Sequence, residues 1–484
     1  MRDLYVSLVY LSFLVLGVSA PFVFSLGYVW VDVFYPQYLT DTLIHFLPVS
    51  LIMGIAAVGG YLLLDRRAAR VSPVMVLTVI FAVWITLTAL WAQAPDTAWT
   101  KWNWATKTVI FSAFIPLVIR SRVQIEAFIL VWVFAAAAHL LPVGIKTFVS
   151  GGGYGIELGL LRSNASGLSE SSEVSAVAIM FIPIVLALRT HSLLLGQRWL
   201  RDGLFYAMAF LFVFTAVGTF ARTAIIGFAV VGATMWLRSR RKVLFTLVAL
   251  VMAGGVIYKS SAGWEARIST IQSYDQESSA YTRILIWQWT WGFVQEHPFG
   301  GGFNTYVVNR IEIPGINGGP PSVEFGRAFH SSYFEVLGEH GYPGFLLFIA
   351  IVGLSLQALW RTTRLCRGIP GLLWCQDLAG ALLTALLTLL ACAAFIGVAF
   401  QPMFWYMFAL STALRGYALR ALRDDPERAT RRLLSTANPG AVPGLPGLSS
   451  PGVPSGVPSG VSSGVSSGGL ISPGRRLAGP SPGR

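Results

Sequence analysis

Residues 203–242 read GLFYAMAFLFVFTAVGTFARTAIIGFAVVGATMWLRSRRK. Two apolar runs, 203–220 and 223–237, stand back to back, and Arg222 lies in the short turn between them. The second run ends in Arg238, Arg240, Arg241 and Lys242. Apolar runs of roughly 18 or more residues mark membrane-spanning helices. In lipid, backbone polar groups must pair internally, and a helix does this within one segment. Long uninterrupted runs argue against the short alternating strands of a membrane β-barrel. The stretch therefore reads as two spanning helices with a basic loop behind them.

The pattern repeats along the chain. Hydrophobic residues make up 55% and charged residues only 12%, against about 25% charged in soluble domains. Spans are expected at 5–34, 45–64, 72–93, 105–119, 124–148, 174–188, 203–220, 223–237, 243–258, 344–360, 377–400 and 403–420, or about twelve crossings. The first counts as one crossing unless Pro21 divides it, in which case there are thirteen and the N-terminus moves outside. That stretch lacks a clear small-residue cleavage site and reads as an anchor rather than a cleavable signal. The expected class is all-α: a polytopic membrane protein with one large outer-face loop.

Orientation follows from the arginines. Arg66, Arg67 and Arg70; Arg120 and Arg122; Arg189, Arg198 and Arg201; Arg238, Arg240, Arg241 and Lys242; and Arg361, Arg364 and Arg367 occupy alternate loops. All five can share the cytoplasmic side, as the positive-inside rule requires. The net charge of +13 is thereby explained without nucleic acid. Four regions follow: a transmembrane bundle at 1–258, an outer loop with interfacial helices at 259–343, transmembrane helices at 344–424, and a disordered cytoplasmic tail at 425–484. From 433 the tail is mostly Gly, Pro, Ser and Val, too little to bury a core. A loop of such length as 259–343 suggests function. None of the cysteines, Cys366, Cys375 and Cys392, lies in it, so no disulfide is expected there.

Several residues in or beside the outer face have the chemistry for a site. Charge at membrane depth suggests function, and Arg222 is the clearest case; the plain alternative is an arginine snorkelling to headgroups. Arg283 opens the segment Arg283-Ile284-Leu285-Ile286-Trp287-Gln288-Trp289-Thr290-Trp291, where Trp287 and Trp291 share a helix face. It is either functional or an anchor of an interfacial helix. Pro298-Phe299-Gly300-Gly301-Gly302-Phe303 follows. It lacks the lysine of a phosphate loop and reads as a plain turn. His330 lies ahead of a helix and titrates near neutrality; it is a candidate acid or base, or a polar loop residue. Ser332 and Glu335 have capping-box spacing. Gly341 and Pro343 are stop signals, which would leave Glu339 and His340 in a last, surface-exposed turn. The histidines show no metal-ligand spacing, so no metal and no cofactor is expected.

In their order and placement these motifs resemble the O-antigen ligase and polymerase superfamily: Arg222 at a span end, Arg283 ahead of an aromatic helix, Pro-Phe-Gly-Gly-Gly-Phe, and His330 in His-Ser-x-Tyr-Phe-x-Val-Leu-Gly-Glu-His-Gly. More closely, the opening Met-Arg-Asp-Leu and the segment Arg267–Gln272 with Tyr274 resemble O-glycosylation ligases associated with exosortase systems. The resemblance runs from residue 1 to about 420. It implies a metal-independent glycosyltransferase of a bacterial inner membrane, with its active face periplasmic. The implied partners are a polyprenyl-diphosphate-linked glycan donor, an acceptor protein or glycan, and membrane lipids. Arg222, Arg283 and His330 match the two arginines and the histidine essential in that family. Arg267, Glu170, Glu173 and Glu339 are substrate-binding candidates. Glu170 and Glu173, at a span mouth, read more simply as solvated. The chain departs from the family pattern in having only Asn164 where relatives have an Asn-rich stretch. If the acceptor is the end of a growing glycan, the same chemistry makes the protein a polysaccharide polymerase. The rival from another class is a transporter or flippase of lipid-linked glycans, but such proteins often carry internal repeats, and the sequence shows no clear one.

Overall fold

The computed structural model describes residues 2–41, 43–65, 71–151, 170–239, 278–313 and 322–424, with scattered positions between 242 and 254. Its helices in chain order are α1 (Arg2–Ser19), α2 (Phe22–Phe34), the short α3 (Pro36–Leu39) and α4 (Leu43–Phe46), then α5 (Val49–Leu64), α6 (Pro73–Ala89), α7 (Pro95–Val118), α8 (Arg122–Ser150), α9 (Ser171–His191), α10 (Arg198–Gly218) and α11 (Arg222–Arg238). Beyond the next gap come α12 (Ser278–Glu296), α13 (Ser332–Leu365), α14 (Leu373–Ala393) and α15 (Pro402–Asp424). One hairpin interrupts the helices: β1 (Arg310–Ile313) pairs antiparallel with β2 (Ser322–Phe325), Arg310 opposite Phe325 and Ile313 opposite Ser322. The sequence reading foresaw no strand here. Ile311 and Ile313 alternate inward and pack with Ile286 and Phe329.

The chain is a multi-pass membrane protein. Among the described residues, six helices are long and apolar enough to cross a membrane: Arg2–Ser19, Arg122–Ser150, Ser171–His191, Arg198–Gly218, Ser332–Leu365 and Pro370–Ala393. Phe22–Phe34, Val49–Leu64 and Pro73–Ala89 are apolar but shorter. The expected twelve is not reached by that standard, for reasons the sequence contains. Pro21 divides the first run, α7 begins ten residues early and takes in Asp96 and Lys101, and α15 carries Arg415 and Arg420. The span expected at 243–258 lies almost wholly outside the described residues, as do Arg66–Arg70 and the tail from 425.

The opening stretch is a hairpin rather than one crossing. Arg2, at the start of α1, bonds Asp41 beyond the end of α2 at 2.8 Å, and the Asp41 N–H donates to Asp3. The two ends of the pair therefore meet.

Cross-links sort the helix ends into two sets. At one end Arg122 donates to the His191 carbonyl, His191 meets Asp377 at 2.7 Å, Arg238 donates to the Gly380 carbonyl, and Arg420 donates to the Arg120 carbonyl. These are the loops that the arginine pattern assigned to one face. At the other end the Gln93 N–H donates to Gly301, and Lys101 reaches Glu335 and Glu339.

Helix α9 is central. It packs against α8, α10, α11 and α14, and residues Glu173–Val185 are buried without a break. A helix apolar on all sides belongs in the interior. Within lipid, van der Waals packing replaces hydrophobic burial as the force between helices. It shows in edge-to-face rings such as Trp132 on Phe181, 4.9 Å apart. The N-terminal end of α9 brings Glu170 within electrostatic reach of His330.

Candidate active site

Three helices, α11, α12 and α13, meet the last turns of α14 and the irregular segment that follows it. The Cys392 thiol donates to the carbonyl of Thr223, in the first turn of α11, at 3.7 Å. The Tyr333 hydroxyl donates to Leu390 at 2.8 Å. Ser332 donates to the Ile396 carbonyl at 2.8 Å and accepts from the Val398 N–H at 2.9 Å. Trp287 of α12 lies 6.2 Å from Phe395, ring to ring. Residues 390–398 are thus a hub, and α11, which starts with Arg222, α12, which carries Arg283, and α13, which His330 precedes, are all fastened to it. The sequence reading treated this stretch as the end of one more span.

Arg283 and His330 are coupled through Trp287. One helical turn after Arg283, the Trp287 indole N–H donates to the Phe329 carbonyl at 3.0 Å, and its ring stacks on Phe334 at 5.2 Å and 3°. Residues four apart on a helix share a face, so the helix face that bears Arg283 is turned toward His330. His330 itself has φ 49°, as does Phe220 two residues before Arg222. That region is costly for a side chain with a Cβ and persists only where the surroundings enforce it.

The charges around His330 are now explicit. Burial, the largest influence, lowers its pKa below the ordinary 6.5; Glu170 raises it, and Arg283 and Arg327 lower it, with a net downward result. Near neutrality the imidazole is therefore uncharged and able to accept a proton. Arg327 was not a sequence candidate. Asn309 holds it in place by accepting its backbone N–H and donating to its carbonyl, and its guanidinium pairs with Glu324.

The structure sorts the remaining candidates. Arg222 is half-buried as the first residue of α11, and α11 packs on both α9 and α14. Glu170 is exposed, whereas Glu173 is buried and accepts the Glu170 N–H at 3.3 Å. Of the pair expected to be solvated, Glu173 is instead a cap of α9, because a helix N-terminus needs acceptors for its free N–H groups. Arg267 lies outside the described residues, with Tyr274 and Asn164.

Glu339 requires a correction. The helix does break at Gly341 (φ 64°), as the stop signals suggested, but the turn before the break is fully buried rather than exposed, because Lys101 of α7 and the Asn304 segment pack on it. Lys101 Nζ bonds Glu335 at 2.6 Å and Glu339 at 2.8 Å, and the Asn304 N–H donates to Glu339. Glu335 also accepts the Ala399 N–H, so it does not cap its own helix as the capping-box spacing suggested. His340 is buried too, its Nδ1 2.7 Å from the Thr88 hydroxyl. Lys101 was missed, although a signal existed. Two carboxylates four apart near membrane depth occupy one helix face and call for a cation.

The three glycines are more than a plain turn. The Gly301 and Gly302 N–H groups donate to the carbonyls of Gly338 and Glu339 at 3.0 and 2.8 Å, and the Tyr342 N–H donates to Pro298 at 2.9 Å. Gly300 and Gly302 have φ 80° and 76°, and a Cβ on either would strike neighbouring backbone. Glycine alone allows main chains to approach so closely. No group of three or more metal-ligating side chains occurs among the described residues.

Two family models match the chain. One, a family of unknown function (DUF5935), covers residues 1–193. The other, described as O-Antigen ligase, covers residues 207–349. No curated protein matches the chain. The second match spans α11, α12, the glycine turn, His330 and the first half of α13. This O-antigen ligase domain at 207–349 supports the resemblance to the O-antigen ligase and polymerase superfamily and suggests an enzyme of the glycosyltransferase type.

Proposed function

We propose that the protein transfers a glycan en bloc from a polyprenyl-diphosphate carrier to an acceptor hydroxyl, at the periplasmic face of a bacterial inner membrane. The observation that carries the reading is the Trp287–Phe329 bond, which joins the helix of Arg283 to the residue before His330 inside an O-antigen ligase domain. In the proposed step the sugar C1–O bond to the diphosphate breaks, and the diphosphate leaves with the electron pair. A bond forms from C1 to the acceptor oxygen, whose proton passes to His330. Arg222 and Arg283 meet the charge that develops on the leaving group. Guanidinium stays charged and grips phosphate oxygens with two parallel N–H bonds, and preorganised charge of this kind stabilises a transition state strongly. These two cations would fill the role that a metal ion has in other transferases.

The acceptor class is a protein or a glycan; the likeness to exosortase-associated O-glycosylation ligases favours a protein. The decisive experiment is reconstitution of the purified protein in vesicles with a polyprenyl-diphosphate glycan, measuring release of polyprenyl diphosphate. Transport of the intact donor across the vesicle without release would overturn the reading in favour of a transporter.

A further inference from the structure

At the end of the bundle opposite the candidate site, a cleft of about 510 Å³ opens between α6, α7, α13 and α15. Five arginines line it: Arg120, Arg361, Arg415, Arg420 and Arg423. Among the described residues that line it, none is acidic. A neighbouring recess of about 290 Å³ shares Arg361, Arg415 and Leu419 and adds Arg364.

Helix periodicity builds the cleft. Arg415, Leu419 and Arg423 recur every four residues on α15, and Leu354, Ala358 and Arg361 recur similarly on α13, so each helix presents one stripe. The Arg420 guanidinium folds back beside Gly416, its Nη1 3.3 Å from where a Cβ would stand, and donates to the Arg120 carbonyl at 3.0 Å. Asp424 acts on Arg420 from beside the cleft, while Arg361, Arg415 and Arg423 add like charges to the same partly apolar space, and these repel one another unless an anion joins them. The other walls are apolar, formed by Val71, Pro73, Val74 and Leu354, and Val71 and Leu419 remain 66% and 43% exposed. A free inorganic anion would leave that apolar surface unused, whereas a lipid would cover it. Basic recesses between membrane helices on the cytoplasmic side suit anionic headgroups.

We propose that this cleft holds the phosphate of an anionic phospholipid, with an acyl chain lying along Val71, Leu354 and Leu419. Guanidinium groups recognise phosphate oxygens in pairs, and the apolar walls distinguish a lipid from a free ion. The site is independent of the catalytic reading and stands or falls separately.

The test uses the full chain, purified in a neutral detergent, with three probes: phosphatidylglycerol micelles, phosphatidylcholine micelles and inorganic phosphate. Retained lipid is read by native mass spectrometry, and Tm by thermal melting. Phosphatidylglycerol is expected to be retained and to raise Tm, and the other two probes are not. Arg361→Gln with Arg415→Gln should weaken retention roughly tenfold or more, since one charged hydrogen bond is worth about that factor. Arg423→Gln, at the rim, should weaken it less and serves if the double variant does not fold. Arg198→Gln, an exposed arginine of the same end but outside the cleft, should change nothing. An equal effect of phosphatidylcholine, an equal effect of phosphate, or equal weakening by Arg198→Gln would each overturn the proposal. They would mean, respectively, unselective lipid packing, a free-anion site and diffuse attraction.

Discussion

The Trp287 indole N–H donates to the Phe329 carbonyl at 3.0 Å, which makes a tryptophan on one helix the guide for the histidine on the approach to another. Arg283 precedes Trp287 by one turn, and His330 follows Phe329 directly. Trp287→Phe would keep much of the stacking on Phe334 and lose the bond. Stability should fall by only about 1 kcal/mol. Turnover is expected to fall far more, up to roughly 100-fold, because small misplacements of reacting groups are costly. Parallel melting and transfer assays separate the two effects, and normal turnover would remove Trp287 from the mechanism.

Arginine geometry rather than charge is the second test. Lysine at position 222 or 283 keeps the positive charge but loses the two-pronged grip. Each of Arg222→Lys and Arg283→Lys should lower transfer by roughly 10² to 10³, the scale of one lost transition-state donor. His330→Ala should abolish transfer. Near-wild-type rates for both lysine variants would refute the proposed site.

The acidity of His330 makes a third prediction with a definite sign. Its pKa is lowered from 6.5, and the proposed step needs the neutral ring. Activity should therefore rise with pH through a midpoint below 6.5 and level off above it. Glu170 holds the pKa up and Arg327 holds it down. Glu170→Gln should move the midpoint to lower pH, and Arg327→Gln should move it to higher pH. Shifts in the same direction, or none, in the pH–rate profiles would show that another group controls the acid limb.

Lys101 provides a stability test away from the chemistry. It is the cation bonded to two buried carboxylates, Glu335 and Glu339. Lys101→Met leaves them unpaired, and breaking a buried ion pair typically costs about 3–5 kcal/mol. A sharp fall in melting temperature or in inserted protein is expected. Adding Glu335→Gln and Glu339→Gln should restore part of it. If Lys101→Met melts like the parent, the cluster is not a structural brace.

Much of this architecture was legible in the sequence because the bilayer imposes a simple grammar of long apolar runs and basic loops. The Arg120–Arg122, Arg189–Arg201, Arg238 and Arg361 groups, spaced to alternate, do lie toward one end. What the sequence concealed depends on contacts between distant segments. Glu339 looks like an exposed helix end, since Gly341 and Pro343 follow it, and only the docking of α7 reveals that Lys101 has claimed it. The hub at 390–398 is invisible because apolar residues that end a span read the same whether they face lipid or fasten three other elements. Arg327 escaped because its position depends on Asn309, across a hairpin that periodicity did not signal.

The seam between residues 298–302 and 338–342 is written almost entirely in main-chain atoms: Gly301 to Gly338, Gly302 to Glu339, Tyr342 to Pro298. Such a joint carries its information in the absence of side chains, so it is indifferent to the chemistry of its surroundings. Phe299, within it, is 58% exposed and free to change. Side chains above this joint can therefore be exchanged without disturbing its alignment, provided the glycines are left alone.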